Sequence, residues 1–186
     1  MIFCDTPMSG GVMGAANGTL TFMVGSQSAE DFETAKVVLG GMGKNIFNCG
    51  PPGTGQIAKI TNNMILGIQM CAVSEGLAMG EKLGIEPKIL SDILQVSTSN
   101  CWAVGATNPR PGVVEGSPSS NNYQGGFQVG LIRKDLALAL ECAKSVDAKT
   151  DFGEKALDTY VHLEKGGHGG KDFGYVFQYI MGNHKD

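Results

Sequence analysis

Residues 50–63 read GPPGTGQIAKITNN, a glycine-rich turn that leads into an apolar segment. The glycines stand close to the spacing of a phosphate-binding P-loop, in which a lysine and a serine or threonine directly follow the last glycine. Here Gln56 and Ile57 occupy those two places, and they offer neither a cation nor a Mg²⁺ ligand. The stretch therefore does not indicate a nucleotide hydrolase, and Lys59 has to be interpreted through the helix that carries it.

A long helix is predicted from about residue 56 to residue 83, where Gly84 ends it. Apolar residues recur through this segment at helical spacing; they are Ile57, Ile60, Met64, Ile68 and Cys71. From residue 64 onward nearly every face of the helix is apolar, which is typical of a helix buried on all sides. We therefore expect this helix to lie inside the core.

The first fifty residues have a different pattern from the rest of the chain. Short strands are predicted at 2–5, 20–24 and 45–47 from their aliphatic and aromatic content, and a helix capped by Ser28 is predicted at 29–39. This strand–helix–strand segment is too small to hold a complete sheet alone. Because the chain opens directly on a strand, we expect residues 1–50 to be the remnant of a larger domain.

Residues 51–186 show no convincing strand pattern and predict a helical domain, so the fold class is mainly α. After the long helix, further helices are predicted at 87–96, 127–146, 152–164 and 173–181. The polar, Gly/Pro-rich segment 106–126 has a length typical of a functional or disordered loop. The glycine-rich residues 166–170 are interpreted as a hinge before the last helix.

The composition excludes several classes of partner. A net charge of −4 without a lysine or arginine block argues against nucleic acid. The apolar run 64–73 is about half as long as a bilayer span requires. Five scattered cysteines and three isolated histidines predict neither disulfides nor a metal site; the histidines are His162, His168 and His184.

Lys59 is the first candidate for chemistry. It precedes Asn63 by four residues, so both side chains share one helix face. A lysine near a helix start is usually a surface residue, but this one lies on an apolar helix and opposes the helix dipole. Desolvation in that position would lower its pKa from about 10.4 toward neutrality. Such a lysine can act as a general acid or base.

Two further features remain open between function and structure. Ser9, Gly10 and Gly11 form a turn whose N–H groups and hydroxyl suit a carboxylate, although such a turn is more often only a turn. Lys134 and Asp135 lie in a predicted helix that looks buried on most sides. Buried charges are costly unless they are paired or used, and the sequence leaves both explanations equally open.

Together these residues resemble the β-hydroxyacid dehydrogenase family, and within it the 3-hydroxyisobutyrate branch. The resemblance runs over essentially the whole chain and is carried by six stretches: FCDTPMSGG, GTLTFMVG, GTGQIAKITNN, NPRPGVVEGSPSSNNYQGGF, KDL and KDFGYVFQ. Gly53, Gly55, Lys59 and Asn63 match the family pattern G-x-G-x-x-x-K-x-x-x-N. The NNYQGGF segment argues against the glyoxylate, tartronate-semialdehyde and 6-phosphogluconate branches.

The resemblance implies a role for each candidate residue. Lys59 would be the catalytic acid/base of an NAD-dependent oxidation of 3-hydroxyisobutyrate, and Asn63 would hold the substrate oxygen. Ser9, Gly10 and Gly11 would bind the substrate carboxylate. Lys134 would lie near the cofactor and Asp135 beside the site. Phe127 would close over the site.

The resemblance also implies limits and a setting. The family usually has Ala and Val where this chain has Thr6 and Met8, and no G-x-G-x-x-G follows a strand here, so we expect this chain alone to be inactive or nearly so. Residues 1–50 would be the end of the dinucleotide-binding domain, and residues 51–186 an all-helical substrate and dimerisation domain. A homodimer or homotetramer is implied, in the mitochondrial matrix if the source is eukaryotic and in the cytoplasm otherwise.

Two alternatives stay open. The chain could come from a relative that acts on another β-hydroxyacid or semialdehyde, such as glyoxylate, succinic semialdehyde or tartronate semialdehyde. It could also be a non-catalytic helical dimerisation module, against which the intact Lys59 and Asn63 argue.

Overall fold

A computed structural model describes residues 1–183 of the chain. The chain divides into two compact units, residues 1–62 and residues 63–186. The division falls inside one long helix, Thr54–Lys82.

The first unit is built around one central strand. Strand β3 (Leu20–Ser26) pairs antiparallel with β1 (Cys4–Asp5) and β2 (Met8–Ser9), and parallel with β4 (Gly43–Gly50). The parallel pair needs a crossover, which helix α2 (Ala29–Leu39) supplies. Alternate residues of β3 face one side, so Leu20, Phe22 and Val24 are buried together with two α2 side chains, Phe32 and Leu39.

The predicted strands and helix of this unit are largely confirmed. Ser28 caps α2 by accepting a hydrogen bond from the Asp31 N–H at 3.1 Å. The predicted strand 2–5 is shorter, at Cys4–Asp5 only, and a further short helix, α1 (Gly11–Ala16), was not predicted. Gly10 and Gly11 adopt φ values of 131° and 62°, which favour glycine, and thereby turn the chain from β2 directly into α1.

Helix α3 (Thr54–Lys82) is the longest element of the chain. One stripe at alternating spacings of four and three residues is buried, namely Asn63, Gly67, Met70, Ser74 and Leu77. The prediction that α3 is buried on all sides is wrong, because Ile57, Ile65 and Met79 are 57%, 48% and 63% exposed. Within the described residues, this chain covers a single face of the helix.

The second unit is helical apart from irregular connections. It contains α4 (Pro87–Val96), α5 (Val129–Ser145), α6 (Asp151–Leu163) and α7 (Val176–Met181). Its largest core joins side chains of α3, α5, α6 and α7, among them Met70, Ile132, Leu136, Tyr160 and Val176. The chain as a whole is thus mainly helical with a small sheet. No helix of the described residues is long and apolar enough to cross a bilayer.

The boundaries near the end of the chain differ from the prediction. Residues 164–168 continue α6 as a wide helical turn, and the chain kinks within the predicted hinge 166–170 at Gly167, where φ is 84°. The predicted helix 173–181 begins with one tighter turn, Phe173–Tyr175, before α7. Helix α5 begins at Val129, two residues later than predicted, because Gln128 pairs with Asp172 in an isolated β-bridge.

The segment 106–126 contains only one short helical turn, Pro118–Asn121, yet much of it is buried. Its polar side chains satisfy nearby polar groups: the Asn108 amide donates to the Val104 carbonyl at 2.9 Å and to Ser91 Oγ at 3.0 Å. The Tyr123 hydroxyl donates to the Pro109 carbonyl at 2.8 Å. The segment is therefore held in one conformation by these contacts and contributes some of its residues to the core, and the alternative of a disordered loop is wrong.

Asp172 ties this segment to the end of the chain. Its side chain, in a residue that is only 2% exposed, accepts hydrogen bonds from the backbone N–H groups of Phe127 and Gly174, each at 2.9 Å. Burial raises the pKa of this carboxyl group from 3.8 to about 6, against the opposing effect of the two N–H donors.

The raised pKa predicts an unusual dependence of stability on pH. An acid whose pKa is higher in the folded state contributes stability below its unfolded pKa and loses that contribution as the pH rises through the folded value. Lowering the pH from 7 to 4 should therefore increase the Asp172 contribution to the free energy of unfolding, by at most about 3 kcal/mol. Urea unfolding of Asp172→Asn across this range should lack the contribution. The exposed Asp158→Asn serves as the control, and parallel pH curves for wild type and Asp172→Asn would contradict the prediction.

Candidate functional site

Lys59 is the sixth residue of α3 and lies in its second turn, as the sequence predicted. The residue is half-buried, between an exposed neighbour, Ile57, and a buried one, Asn63, which is 1% exposed. The lysine therefore lies at the border between the exposed and buried faces of the helix.

The first turn of α3 is held by a residue that sequence reasoning missed. Asp5, at the end of β1, accepts a hydrogen bond from the Gly53 N–H at 2.6 Å through Oδ1 and one from the Gln56 N–H at 2.9 Å through Oδ2. These partners are 48 and 51 residues away in the sequence, so no local pattern reveals the contact. The only signal was a carboxylate at the end of a strand, directly before the TPMSGG stretch.

Three predicted site residues are brought together in the second unit. The Asn63 amide donates to Asp135 Oδ2 at 2.6 Å, and Asp135 Oδ1 lies 2.5 Å from the Lys134 ammonium. Asp135 is 8% exposed, whereas the Lys134 side chain is 53% exposed. The carboxylate therefore bridges a buried amide and a cation that reaches solvent. These two partners offset the desolvation cost of burying Asp135.

The environment predicted for Lys134 and Asp135 was partly wrong. One apolar stripe of α5, with Ile132 and Leu136, is buried, but a second stripe is more exposed, with Leu131 and Leu138 at 44% and 42%. Asp135 lies in this second, more exposed stripe and is nevertheless buried, because Asn63 and Lys134 occupy its carboxylate.

Ser9, Gly10 and Gly11 form the corner between β2 and α1. Ser9 pairs with Thr21 in the sheet, and Gly11 is the first residue of α1. A side chain at Gly10 would bring a Cβ within 3.1 Å of Leu20, so this corner is closely packed as well as conformationally restricted. Carboxylate binding at this corner stays a prediction.

Phe127 has the contacts of a packing residue. Its ring lies edge-on to Phe173 with ring centroids 6.0 Å apart, and Trp102 stacks on the same Phe173 ring at 6.5 Å. Its backbone is held by Asp172. A role of Phe127 in closing over a substrate stays a prediction.

The described residues offer no metal site and no phosphate site at the start of α3. They contain no group of three or more histidine, cysteine, aspartate or glutamate side chains placed to hold a metal ion, and His184 lies outside them. Gly53 and Gly55 follow a strand and open a helix, which is where dinucleotide-binding folds place a pyrophosphate. Because Asp5 already occupies the N–H groups of Gly53 and Gln56, this helix start does not fit that phosphate.

Comparison with known proteins identifies relatives over nearly the whole chain. The protein shares 49% identity with a probable mitochondrial 3-hydroxyisobutyrate dehydrogenase of Dictyostelium discoideum, covering 98% of this chain and 56% of that protein. It shares 47% identity with a 3-hydroxyisobutyrate dehydrogenase of Pseudomonas aeruginosa, covering 96% of this chain and 60% of that protein. The chain therefore spans little more than half the length of these curated relatives.

A solved structure agrees in fold. The 3-hydroxyisobutyrate dehydrogenase of Mycobacterium tuberculosis with L-serine superposes with a TM-score of 0.89 at 40% identity, over 95% of this chain and 60% of that one. Residues 1–50 match the NAD-binding domain of 6-phosphogluconate dehydrogenase. Residues 53–180 match the family model described as the NAD-binding region of NADP-dependent 3-hydroxyisobutyrate dehydrogenase. Since that second match covers more than half of the sequence, the chain belongs to the 3-hydroxyisobutyrate dehydrogenase family of NAD(P)-dependent oxidoreductases.

Proposed function

We propose that the complete protein oxidises 3-hydroxyisobutyrate to methylmalonate semialdehyde with NAD, as a step of valine degradation, and that Lys59 is its general acid/base. The observation that carries this proposal is the placement of Lys59 and Asn63 four residues apart on α3, where a buried carboxylate, Asp135, accepts a hydrogen bond from the Asn63 amide. The names of the relatives support the substrate.

The residues of this chain have separate tasks in that reaction. Lys59, as a neutral amine, takes the proton of the substrate hydroxyl, while Asn63 holds the same oxygen in place. The N–H groups and hydroxyl of Ser9, Gly10 and Gly11 bind the substrate carboxylate. The cofactor, when bound, supplies the hydride acceptor.

The remaining predicted residues belong to the surroundings of the reacting atoms. Asp135 fixes the rotamer of the Asn63 amide and holds the Lys134 ammonium. With half of its side chain exposed, Lys134 is suited to contact an anionic cofactor group. Phe127 lines the site as an apolar wall over the substrate methyl group.

The same proposal assigns the two parts of the chain. Residues 1–50 are the end of a dinucleotide-binding domain and residues 51–186 are the helical substrate and dimerisation domain. The separate family matches at 1–50 and 53–180 support the position of this boundary. The eukaryotic relatives carry a mitochondrial designation in their names, so a eukaryotic source would place the protein in the mitochondrial matrix.

A second candidate substrate is L-serine, which is also a β-hydroxyacid. An NAD-dependent L-serine dehydrogenase of Pseudomonas aeruginosa is 45% identical over 92% of this chain, and the Mycobacterium tuberculosis structure contains L-serine. Both substrates present a hydroxyl group and a carboxylate at the same separation. The tasks given to Lys59, Asn63 and the Ser9–Gly11 corner therefore hold for either one.

Replacement of Lys59 tests the proposal. In the complete protein, Lys59→Ala should lower kcat by about 10²–10⁴-fold with either hydroxyacid, because the general base is lost. NAD reduction with 3-hydroxyisobutyrate and with L-serine, followed by absorbance, measures the effect and ranks kcat/KM for the two substrates. Lys82→Ala, an exposed lysine at the other end of α3, should leave turnover unchanged. Undiminished turnover in Lys59→Ala would end the acid/base assignment.

Asp135 allows a second test. Asp135→Ala removes the acceptor of the buried Asn63 amide and should lower the free energy of unfolding by about 1–3 kcal/mol, together with kcat. The paired exchange of Asn63→Asp with Asp135→Asn restores a donor and an acceptor in reversed order. It should recover part of the stability in urea unfolding without recovering kcat. Recovery of full turnover by the exchange would show that the Asn63 amide is not needed.

We further propose that the protein is a homodimer or homotetramer. Helices α3 and α4 each leave an apolar stripe exposed, with Ile65 and Met79 on α3 and Ile89, Ile93 and Val96 on α4. A single soluble chain rarely leaves so many large apolar side chains in contact with water, whereas homo-oligomer interfaces bury them.

Light scattering after size exclusion tests this association. The complete protein should elute as a dimer or larger, and Ile93→Glu should reduce its mass because the new charge would have to be buried. Val38→Glu, on an exposed apolar residue of α2, should leave the mass unchanged. A monomeric wild-type protein would refute the association.

A further inference from the structure

The Asp5 carboxylate is hydrogen-bonded at the start of α3, a contact that no local sequence pattern predicts. The first N–H groups of a helix have no partner within the helix. Two such groups, those of Gly53 and Gln56, donate to the two oxygens of the Asp5 carboxylate at 2.6 Å and 2.9 Å. The end of β1 is thereby bonded directly to the first turn of the helix that carries Lys59.

Glycines make room for this carboxylate. A Cβ at Gly55 would lie 2.7 Å from Asp5 Oδ2 and would also overlap the Met23 carbonyl oxygen. A Cβ at Gly25, on the neighbouring strand β3, would overlap Asp5 Oδ1 and lie 2.9 Å from the Pro51 carbonyl oxygen. Any larger residue at either place would push the carboxylate off its donors.

A third glycine, Gly53, is needed for its backbone conformation and not for space. Gly53 adopts a φ of 95°, a conformation that L side chains rarely adopt, and it turns its N–H toward Asp5. The Gly-Thr-Gly pattern before Lys59 is thus explained by a bound carboxylate of the protein itself, without a phosphate.

We infer that Asp5 is a positioning residue for Lys59. Lys59 follows Gln56 by three residues, which is about one helical turn, so the anchored turn directly supports the backbone of the lysine. The carboxylate also places a negative charge at the positive end of the helix dipole, which favours the helical conformation of that first turn. This inference rests on the proposed role of Lys59 as the acid/base.

Two variants separate the parts of the contact. Asp5→Asn keeps the shape of the side chain but loses the charge and one of the two acceptors. Gln56→Pro keeps the Asp5 charge and removes only one donor, at a first-turn position where proline is tolerated. Asp31→Asn, a half-buried aspartate in the first turn of α2, is the matched control.

The experiment measures two quantities in the complete protein. Hydrogen exchange followed by mass spectrometry should show residues 53–56 exchanging about tenfold faster in Asp5→Asn than in wild type, because charge-assisted bonds close this turn. Steady-state kinetics should show kcat falling about 10- to 100-fold, with KM for the hydroxyacid changed less than about threefold, because Lys59 is displaced while substrate contacts remain. Gln56→Pro should lower kcat in the same direction by a smaller factor, and Asp31→Asn should behave as wild type.

Other results would contradict specific parts of this inference. Unchanged exchange at 53–56 in Asp5→Asn would show that the carboxylate does not hold the helix start. Faster exchange with an unchanged kcat would show that Asp5 is a structural cap with no bearing on Lys59. If wild type turns over but Lys59→Ala does so equally well, the acid/base role of Lys59 fails, while the exchange result still decides whether Asp5 holds the start of α3.

Discussion

The buried stripe of α3 is the constraint on which the second unit depends. It places Asn63 at 1% exposure in line with Gly67, Met70, Ser74 and Leu77, so a polar amide enters a largely apolar row. A buried amide destabilises the fold unless it is hydrogen-bonded, so a hydrogen-bond acceptor has to lie beside it. Asp135 meets the demand, and its own charge is balanced by Lys134 at the surface. One polar residue in an apolar stripe thus determines the placement of two charged ones.

The close packing along this stripe has the same origin. A Cβ at Gly67 would lie 3.1 Å from Leu136 Cδ1, which means that the Leu136 side chain packs directly against the α3 backbone at that turn. Asp135 precedes Leu136 on α5, so the approach that buries Leu136 also brings the carboxylate to the Asn63 amide. The packing of Leu136 in the apolar core and the Asn63–Asp135 hydrogen bond therefore depend on the same placement of α5 against α3.

Local patterns predicted the elements well and the contacts poorly. The helical spacing of apolar residues located α3 and put Lys59 in its second turn, and the cap at Ser28 located α2. The partners of Asn63 and Gln56 lie 72 and 51 residues away, beyond the reach of any periodicity. Apolar residues such as Ile65 and Met79 were assigned to the core because a sequence shows how apolar a helix is, but not which of its faces is covered. In segment 106–126 the polar composition suggested a functional or disordered loop. Several of its polar side chains are instead buried, because they hydrogen-bond to neighbouring backbone groups.

Glycine placement acquires a common explanation in the two units. In the first, Gly25 and Gly55 leave room for the Asp5 carboxylate between two segments that are distant in sequence. In the second, a Cβ at Gly126 would overlap Asp172 Oδ2, and one at Gly174 would lie 3.0 Å from Asp172 Oδ1. Each carboxylate joins remote backbone segments by accepting two N–H groups, and such bonds need a backbone that approaches without side chains. The glycine-rich turn at 50–56 is therefore better explained by the carboxylate it surrounds than by the P-loop that its spacing suggests.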